Sequence, residues 1–546
     1  MIPAPEHLVI LPIVLPLVAG ALLLFFNDQE RVLKATITIG TAVALLIVAI
    51  LLLRIAHADG RPGDGRVVVY LLGNWPPPFA IVLVLDRLAA MMLALTAVLA
   101  IPALVFSIVR WQKAGPNYHT LFLFLLMGLN GSFLTGDLFN LFVFFEVMLA
   151  ASYGLVLHSS GSLRVRAGLH YIAINLAASL LFLIGVAMIY GVTGTLNMAD
   201  LALRIPKVAP ESMMMLEAGA GILGIAFLIK AGMWPLSFWL PTTYTAAPAP
   251  VAAIMAIMSK VGVYVILRLS LLFFTKETVS FGFGTNVLLL GGILTITFGA
   301  IGVLASQSLG RLAGFSVLVS SGTLLASLGL FEVGVTAGAL LYLVSSTIAI
   351  SAFFLLIELV ERGQDQFANV LAVTVEAFGE GEEDEDVEEE VGVTIPGTLA
   401  ILGISFGACA LLLAGLPPLP GFVAKFIIID ASFNHGALGD AATIPSAAWW
   451  LATFLVLSGL ASLISMSRAG IRTFWAPVDV VIPRVQLMEI IPIGVLLALT
   501  LALTVQAGPI MRFMQATADN LHDPRIYIES VVDAPRAMPR GREGTR

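Results

Sequence analysis

Residues 219 to 241 read GAGILGIAFLIKAGMWPLSFWLP, an apolar run long enough to cross a bilayer, with one charge, Lys230, and then Pro235. These two residues restrict what the segment can become. A charged side chain at the bilayer centre costs roughly 2.5 to 3.5 kcal/mol on insertion scales, so it faces a bundle interior or a hydrated cavity. Pro235 offers no amide hydrogen to the carbonyl of Ala231, so the helix bends or breaks near residues 231 to 235 and frees carbonyls that need water, a cation or a partner group. Lys230 then closes a half-helix, whose C-terminal end carries partial negative charge and favours a cation. A kinked packing helix with its lysine snorkelling to the interface would satisfy the same residues. What separates the two readings is that the pattern occurs twice.

Residues 231 to 236 read AGMWPL and residues 414 to 419 read AGLPPL; the second stretch continues LPGFVAKFIII, placing Pro417, Pro418 and Pro420 before another apolar-flanked lysine, Lys425. Paired interrupted helices in corresponding places of two halves point to an ion-transport site. With 59% hydrophobic and 12% charged residues over 546 positions, the chain reads as an all-α polytopic membrane protein. At about 20 apolar residues per span, fourteen transmembrane helices follow: 8–26, 33–53, 80–109, 120–135, 138–157, 167–190, 214–241 with its break, 248–273, 284–305, 312–330, 335–359, 396–434 with its break, 449–470 and 487–513. Residues 1–112 hold three N-terminal spans, and residues 113–276 form a first five-helix repeat broken around 231–235. Residues 277–472 form a second repeat broken around 416–421 and carrying an acidic loop at 361–395. Residues 473–546 hold the last span and a polar tail, expected to cover a partner or to be mobile. The Gly-, Pro- and Asp-rich stretch from Arg54 to Phe79 reads as an exposed loop.

The net charge of -7 owes most to residues 376–390, EAFGEGEEDEDVEEE, which hold ten of the 35 acidic residues and read as a solvated loop. The N-terminus lacks a basic region and a small-residue cleavage site, so its apolar run reads as a retained span. A single cysteine, Cys409, excludes disulfides within the chain and cysteine metal clusters. No metal or other cofactor and no nucleic-acid partner is expected. Short loops with Arg31, Lys34, Arg110, Lys113, Arg164 and Arg166 fall on one side, which the positive-inside rule makes the cytoplasm, with the N-terminus outside.

Ionisable residues deep in the spans are few. Glu146, in DLFNLFVFFEVMLAASYGLVL, lies about 13 Å into its span, and Lys260, in PAPVAAIMAIMSKVGVYVILRL, about 18 Å into its own. A carboxylate and three lysines near mid-depth in separate spans are harder to explain as packing residues than any one of them alone. If Glu146 and Lys230 approach to ~6 Å at an effective dielectric of ~20, their attraction is about 3 kcal/mol, enough for the charge of one to govern proton release by the other.

Glu146, Lys230 with its following GMWPLSFWLP, Lys260, and GLPPLPGF before Lys425 together resemble the antiporter-type proton-translocating subunits. These are the large membrane subunits of respiratory complex I, of membrane-bound hydrogenases and of the Mrp-type monovalent cation/proton antiporters. The DLFNLFVFFEVMLAASYGL stretch and the fourteen spans without a long lateral C-terminal helix are most similar to the D-type membrane component of the Mrp-type complexes. The resemblance implies two inverted five-helix repeats. It also implies a proton route through the Glu146–Lys230 pair, Lys260 as the connecting lysine and Lys425 as the second-half lysine. It further implies a secondary transporter rather than an enzyme, exchanging protons for Na+ (or K+ or Li+) in a bacterial inner membrane. A larger homologous A-type component and small membrane subunits would be its partners. The alternative from another class is a proton-pumping component of a redox-driven complex. The chain departs from many relatives in the eleventh span, where they carry histidine or a further lysine. Here YLVSSTIAISAFF offers only Ser345, Ser346, Thr347 and Ser351 as a polar link, and hydroxyls relay protons only with water between them.

Overall fold

The computed structural model describes residues 5–27, 29–57, 66–79, 81–275, 278–378, 397–434, 445–475 and 485–535. The chain opens with α1 (Pro5–Leu8), α2 (Leu11–Leu23) and α3 (Arg31–His57), then a hairpin of β1 (Val68–Leu71) and β2 (Val82–Leu85), then α4 (Arg87–Ser107). There follow α5 (Tyr118–Leu134), α6 (Leu138–Val156), α7 (Ser162–Thr193), the short α8 (Met198–Arg204), α9 (Pro210–Ala231), α10 (Trp239–Ala246) and α11 (Ala249–Phe273). The remainder comprises α12 (Thr285–Ala305), α13 (Leu309–Leu328), α14 (Val333–Phe378), α15 (Gly397–Ala414), α16 (Pro420–Phe433), α17 (Ser446–Gly470), α18 (Leu487–Val505), α19 (Ala507–His522) and α20 (Arg525–Val532). Among the described residues, twelve helices are long and apolar enough to cross a membrane, and α2 and α5 add two shorter apolar ones, so each of the fourteen expected spans has its helix.

The seventh span, α9 with α10, and the twelfth, α15 with α16, are the interrupted ones. Successive spans alternate direction, so these two run in opposite senses, as two inverted five-span units require. A helix apolar all round belongs at the centre of a bundle. Accordingly α11 is buried on every side and α14 nearly so over Val333–Arg362, while α3, α15 and α18 turn most of their surface outward. Polar caps fix where spans start: Asp86 accepts from the amide of Ala89 at 2.8 Å to open α4, and Asp137 accepts from that of Asn140 at 2.9 Å to open α6.

Three expectations are corrected. The third span does not begin at residue 80: Val82–Leu85 is a strand paired antiparallel with Val68–Leu71 inside the stretch read as a loop, because its β-branched residues suit a ladder and Asp86 starts the helix after it. The loop expected from 361 begins later, since α14, with no proline to stop it, runs on to Phe378; residues 379–396, with most of the acidic run, lie outside the described residues. The described part of the tail is not merely a polar extension but packs back on the chain. Met514, Thr517, Ala518 and Leu521 share one face of α19 and are buried against the body of the chain, a spacing visible in the sequence. His522 Nε2 lies 2.9 Å from Thr336 Oγ1 of α14.

Largely buried ion pairs tie the spans at both faces. On the hairpin face the Arg268 guanidinium of α11 grips both carboxylate oxygens of Asp86 at 2.5 and 2.9 Å and donates to Tyr264 Oη at 3.0 Å, with the ring of Tyr527 from α20 stacked 5.2 Å away. On the opposite face Arg362 of α14 bridges Glu358 and Glu489 of α18, each at 2.8 Å, and Trp111 Nε1 donates to Glu358 at 2.7 Å. Removing one partner of a buried pair costs about 3–5 kcal/mol, because it strands the other charge. Arg362→Leu is therefore expected to lower the melting temperature of the detergent-purified protein, and adding Glu489→Gln in the same chain to recover part of the loss. No recovery in the double variant would show that the pair is not the source of the effect.

Candidate functional site

Both breaks are built alike. At the first, α9 ends at Ala231 and Gly232 takes the left-handed conformation at φ 75°; its amide donates to Ile229 O at 3.1 Å and that of Met233 to Leu228 O at 2.9 Å. Trp239 Nε1 adds a donor to Ile229 O at 3.2 Å, and the amide of Trp234 donates to Thr295 Oγ1 of α12 at 2.9 Å. At the second, α15 ends at Ala414 and Gly415 has φ 74°, with the amide of Leu416 donating to Leu411 O at 3.1 Å. Pro235, Pro417 and Pro418 lie in the breaks. Pro420 does not interrupt a helix but opens α16 as its first residue, where its missing amide hydrogen is not needed.

A lysine stands at each break. Lys230 occupies the last turn of α9, 5% exposed. Lys425 is on α16 and reaches back, its Nζ 3.4 Å from Ala414 O at the C-terminal end of α15. The Lys425 ammonium thus meets the negative end of a half-helix, and Lys230 belongs to the last turn of one.

Lys230 and Glu146 are near neighbours without being an ion pair. Glu146 on α6 accepts a short hydrogen bond from the Ser179 hydroxyl of α7. Lys230 Nζ sits 4.8 Å over the Phe145 ring, has no hydrogen-bond partner among the described residues, and lies within the field of the Glu146 carboxylate. A buried group with three donors and one aromatic face is incompletely satisfied. Gly262 sets the next contact: a Cβ there would lie 2.8 Å from Phe227 O and Ala231 N, so only a glycine lets α11 touch the last turn of α9.

Two residues before that contact, Lys260 is completely buried and donates to Ser320 Oγ of α13 at 2.8 Å, with Ser321 Oγ at 3.4 Å. Ser320 Oγ lies 2.9 Å from Ser346 Oγ of α14. Ser320 and Ser346 in turn line a cavity of about 20 Å³, together with Ser316, Tyr342, Ser345 and Ser462. A polar cavity of that size holds one water molecule. Its far wall includes Gly421, one turn of α16 from Lys425.

Of the residues proposed for the polar link, the fold therefore brings Ser345 and Ser346 to the cavity. It does not bring Thr347, whose hydroxyl donates to Leu343 O of its own helix at 2.5 Å, or Ser351, which is buried without a hydrogen-bond partner among the described residues. Ser179, Ser320, Tyr342 and Ser462 were not singled out from the sequence. Glu358 belongs to the ion network at the face.

Residues 135–446 match the family described as NADH:quinone oxidoreductase/Mrp antiporter, transmembrane. Over 535 residues the chain is 60% identical to the D subunit of a probable K(+)/H(+) antiporter from Rhizobium meliloti (strain 1021), covering 97% of this chain and 98% of that one. Over 534 residues it is 35% identical to the D subunit of an Na(+)/H(+) antiporter from Alkalihalophilus pseudofirmus, covering 96% and 99%. Among solved structures, a chain of the Mrp complex from Dietzia sp. DQ12-45-1b superposes with a TM-score of 0.79 at 26% identity, covering 97% of this chain and 99% of that chain. A chain of respiratory complex I from Thermus thermophilus superposes with a TM-score of 0.72 at 20% identity over 95% and 99%, a likeness of fold.

The contact at Gly262 is directly testable. Gly262→Ala presses a methyl group against the α9 backbone, and overpacking of this kind costs roughly 1–3 kcal/mol. The expected outcome is a lower melting temperature for Gly262→Ala and no lowering for Gly40→Ala, where a Cβ meets nothing within 4 Å. Equal melting of the two variants would refute the close approach of α11 to Lys230's helix.

Proposed function

Because the chain belongs to the NADH:quinone oxidoreductase/Mrp antiporter family of membrane proteins, we propose that it is the D-type ion-translocating component of a multi-subunit monovalent cation/proton antiporter in a bacterial inner membrane. The observation that carries this reading is the 60% identity, along nearly the whole length, to a protein named as the D component of a probable K(+)/H(+) antiporter. It also favours potassium over sodium as the exchanged cation, since the sodium-named relative is 35% identical. The complex I-like alternative has a likeness of fold on its side.

Protons are proposed to move through Glu146, Lys230, Lys260 and Lys425. Lys230 and Glu146 form the switching element. At rest Glu146 is held by Ser179 and Lys230 by Phe145; exchange of partners, with Glu146 turning to Lys230, changes the field at Lys230 by an amount of order 3 kcal/mol at ~6 Å. Lys260 then receives or passes on the charge. From Lys260 the relay continues through Ser320 and Ser346, each hydroxyl both donor and acceptor, to a water in the serine-lined cavity and on toward Lys425. The two repeats, residues 113–276 and 277–472, would each contribute one break and one lysine beside it. The positive-inside pattern supports an external N-terminus. The cation path is assigned to the assembly with the larger homologue and the small membrane subunits.

Vesicles from an antiporter-deficient strain carrying the complete operon should dissipate a pH gradient on addition of K+, and less on addition of Na+. The chain expressed alone should insert without exchanging. Ser320→Ala in the complete assembly is expected to slow exchange about tenfold, since it removes a hydrogen bond to a charged group, with subunit content unchanged. Full activity of the single chain in liposomes would overturn the multi-subunit reading, and a parental rate for Ser320→Ala would move the relay elsewhere.

A further inference from the structure

The face opposite the hairpin carries a second polar site, unrelated to the lysine axis. A cavity of about 280 Å³ lies between the start of α3 and the start of α5, and Arg31, Lys34, Lys113, His119 and Thr120 are among its lining residues. Three basic side chains thus converge on one pocket, one of them, Lys34, buried at 5% exposure. The floor of the pocket is a helix N-terminus. Asn117, at φ 58°, makes no side-chain cap, and the first amide of α5 to join the backbone ladder is that of Leu121, donating to Asn117 O at 3.0 Å. The residues before it, Tyr118, His119 and Thr120, line the cavity at the positive end of the helix dipole.

Two lining side chains add an independent signal. His119 and Thr120 are both more than nine-tenths buried, yet His119 Nδ1 and Thr120 Oγ1 have no hydrogen-bond partner among the described residues. His119 Nε2 faces Gln112 Oε1 at 3.2 Å, so Nδ1 is the nitrogen turned elsewhere, and with Nε2–H donating to that amide oxygen it is an acceptor. Buried polar atoms normally find partners, and these two line the same pocket as the cations.

We propose that this pocket binds the phosphodiester of an anionic lipid. The phosphate oxygens meet Arg31, Lys34 and Lys113 at the positive end of α5. Lipid is favoured over a soluble phosphate by what adjoins the pocket: Val32 and Leu33, next to Arg31, are apolar and exposed, and α3 turns most of its surface outward, so acyl chains have a surface to lie on beside the headgroup. Basic pockets at the end of a span suit such headgroups.

The test uses the complete purified complex, stripped of lipid in detergent and exposed to mixed micelles of phosphatidylglycerol in phosphatidylcholine. Retained lipid is counted by native mass spectrometry. Arg31 and Lys113 are both exposed, so Arg31→Gln with Lys113→Gln leaves the fold intact and is expected to weaken phosphatidylglycerol retention roughly thirtyfold. Arg54→Gln, at the other end of α3, controls for loss of charge and should change nothing. Inorganic phosphate should not displace the lipid. Equal retention by the parent and the double variant, an equal loss with Arg54→Gln, or displacement by inorganic phosphate would each overturn the proposal.

Discussion

A proline in a transmembrane helix releases carbonyls that the bilayer cannot solvate, and the architecture of this chain follows from how those carbonyls are answered. At the first break the donors come from Gly232, Met233 and the Trp239 indole, and Thr295 of the other half receives the amide of Trp234. At the second, Lys425 itself turns back to Ala414 O. The same carbonyls that must be satisfied for folding supply the negative potential that makes a buried lysine tolerable there. Helix stability and the accommodation of a buried lysine therefore draw on one set of atoms, and each break has one lysine beside it.

Between the breaks, the central helices are so thoroughly buried that any polar atom on them must find a partner inside the bundle. Lys260 does so through Ser320, and Ser320 through Ser346, so three central helices are joined by side-chain hydrogen bonds at mid-depth. The cavity beyond Ser346 continues that line toward α16. The ion pairs Asp86–Arg268 and Arg362–Glu358/Glu489 stand instead at the two faces, where they clamp the bundle ends around this interior.

Much of this was legible from residue order because it rests on local chemistry. Fourteen apolar runs became fourteen spans, and a glycine with prolines close behind it became a break in each half. Glu146, Lys230, Lys260 and Lys425 stood out since charges in apolar runs are rare. What was not legible depends on helix rotation. Ser320 and Ser346 look like any serine in an apolar span, where a hydroxyl commonly bonds to its own helix as Thr347 does, and only packing of α11, α13 and α14 turns them toward Lys260. The non-polar neighbourhood of Lys230 was missed for the same reason: Glu146 faces Ser179 and leaves Phe145 to cover the ammonium. The α19 face was readable from its spacing, and was overlooked because the tail as a whole is polar.

The central claim is that Lys230 carries protons rather than bracing the bundle with a fixed charge. Arginine keeps that charge but does not deprotonate in proteins. The decisive measurement is cation-driven proton exchange by the complete complex bearing Lys230→Arg, with subunit content and melting temperature recorded on the same preparation. A fully assembled complex without exchange is the result this account predicts. Near-parental exchange with unchanged apparent cation affinity would contradict it, reduce Lys230 to an electrostatic brace and remove the first lysine from the path.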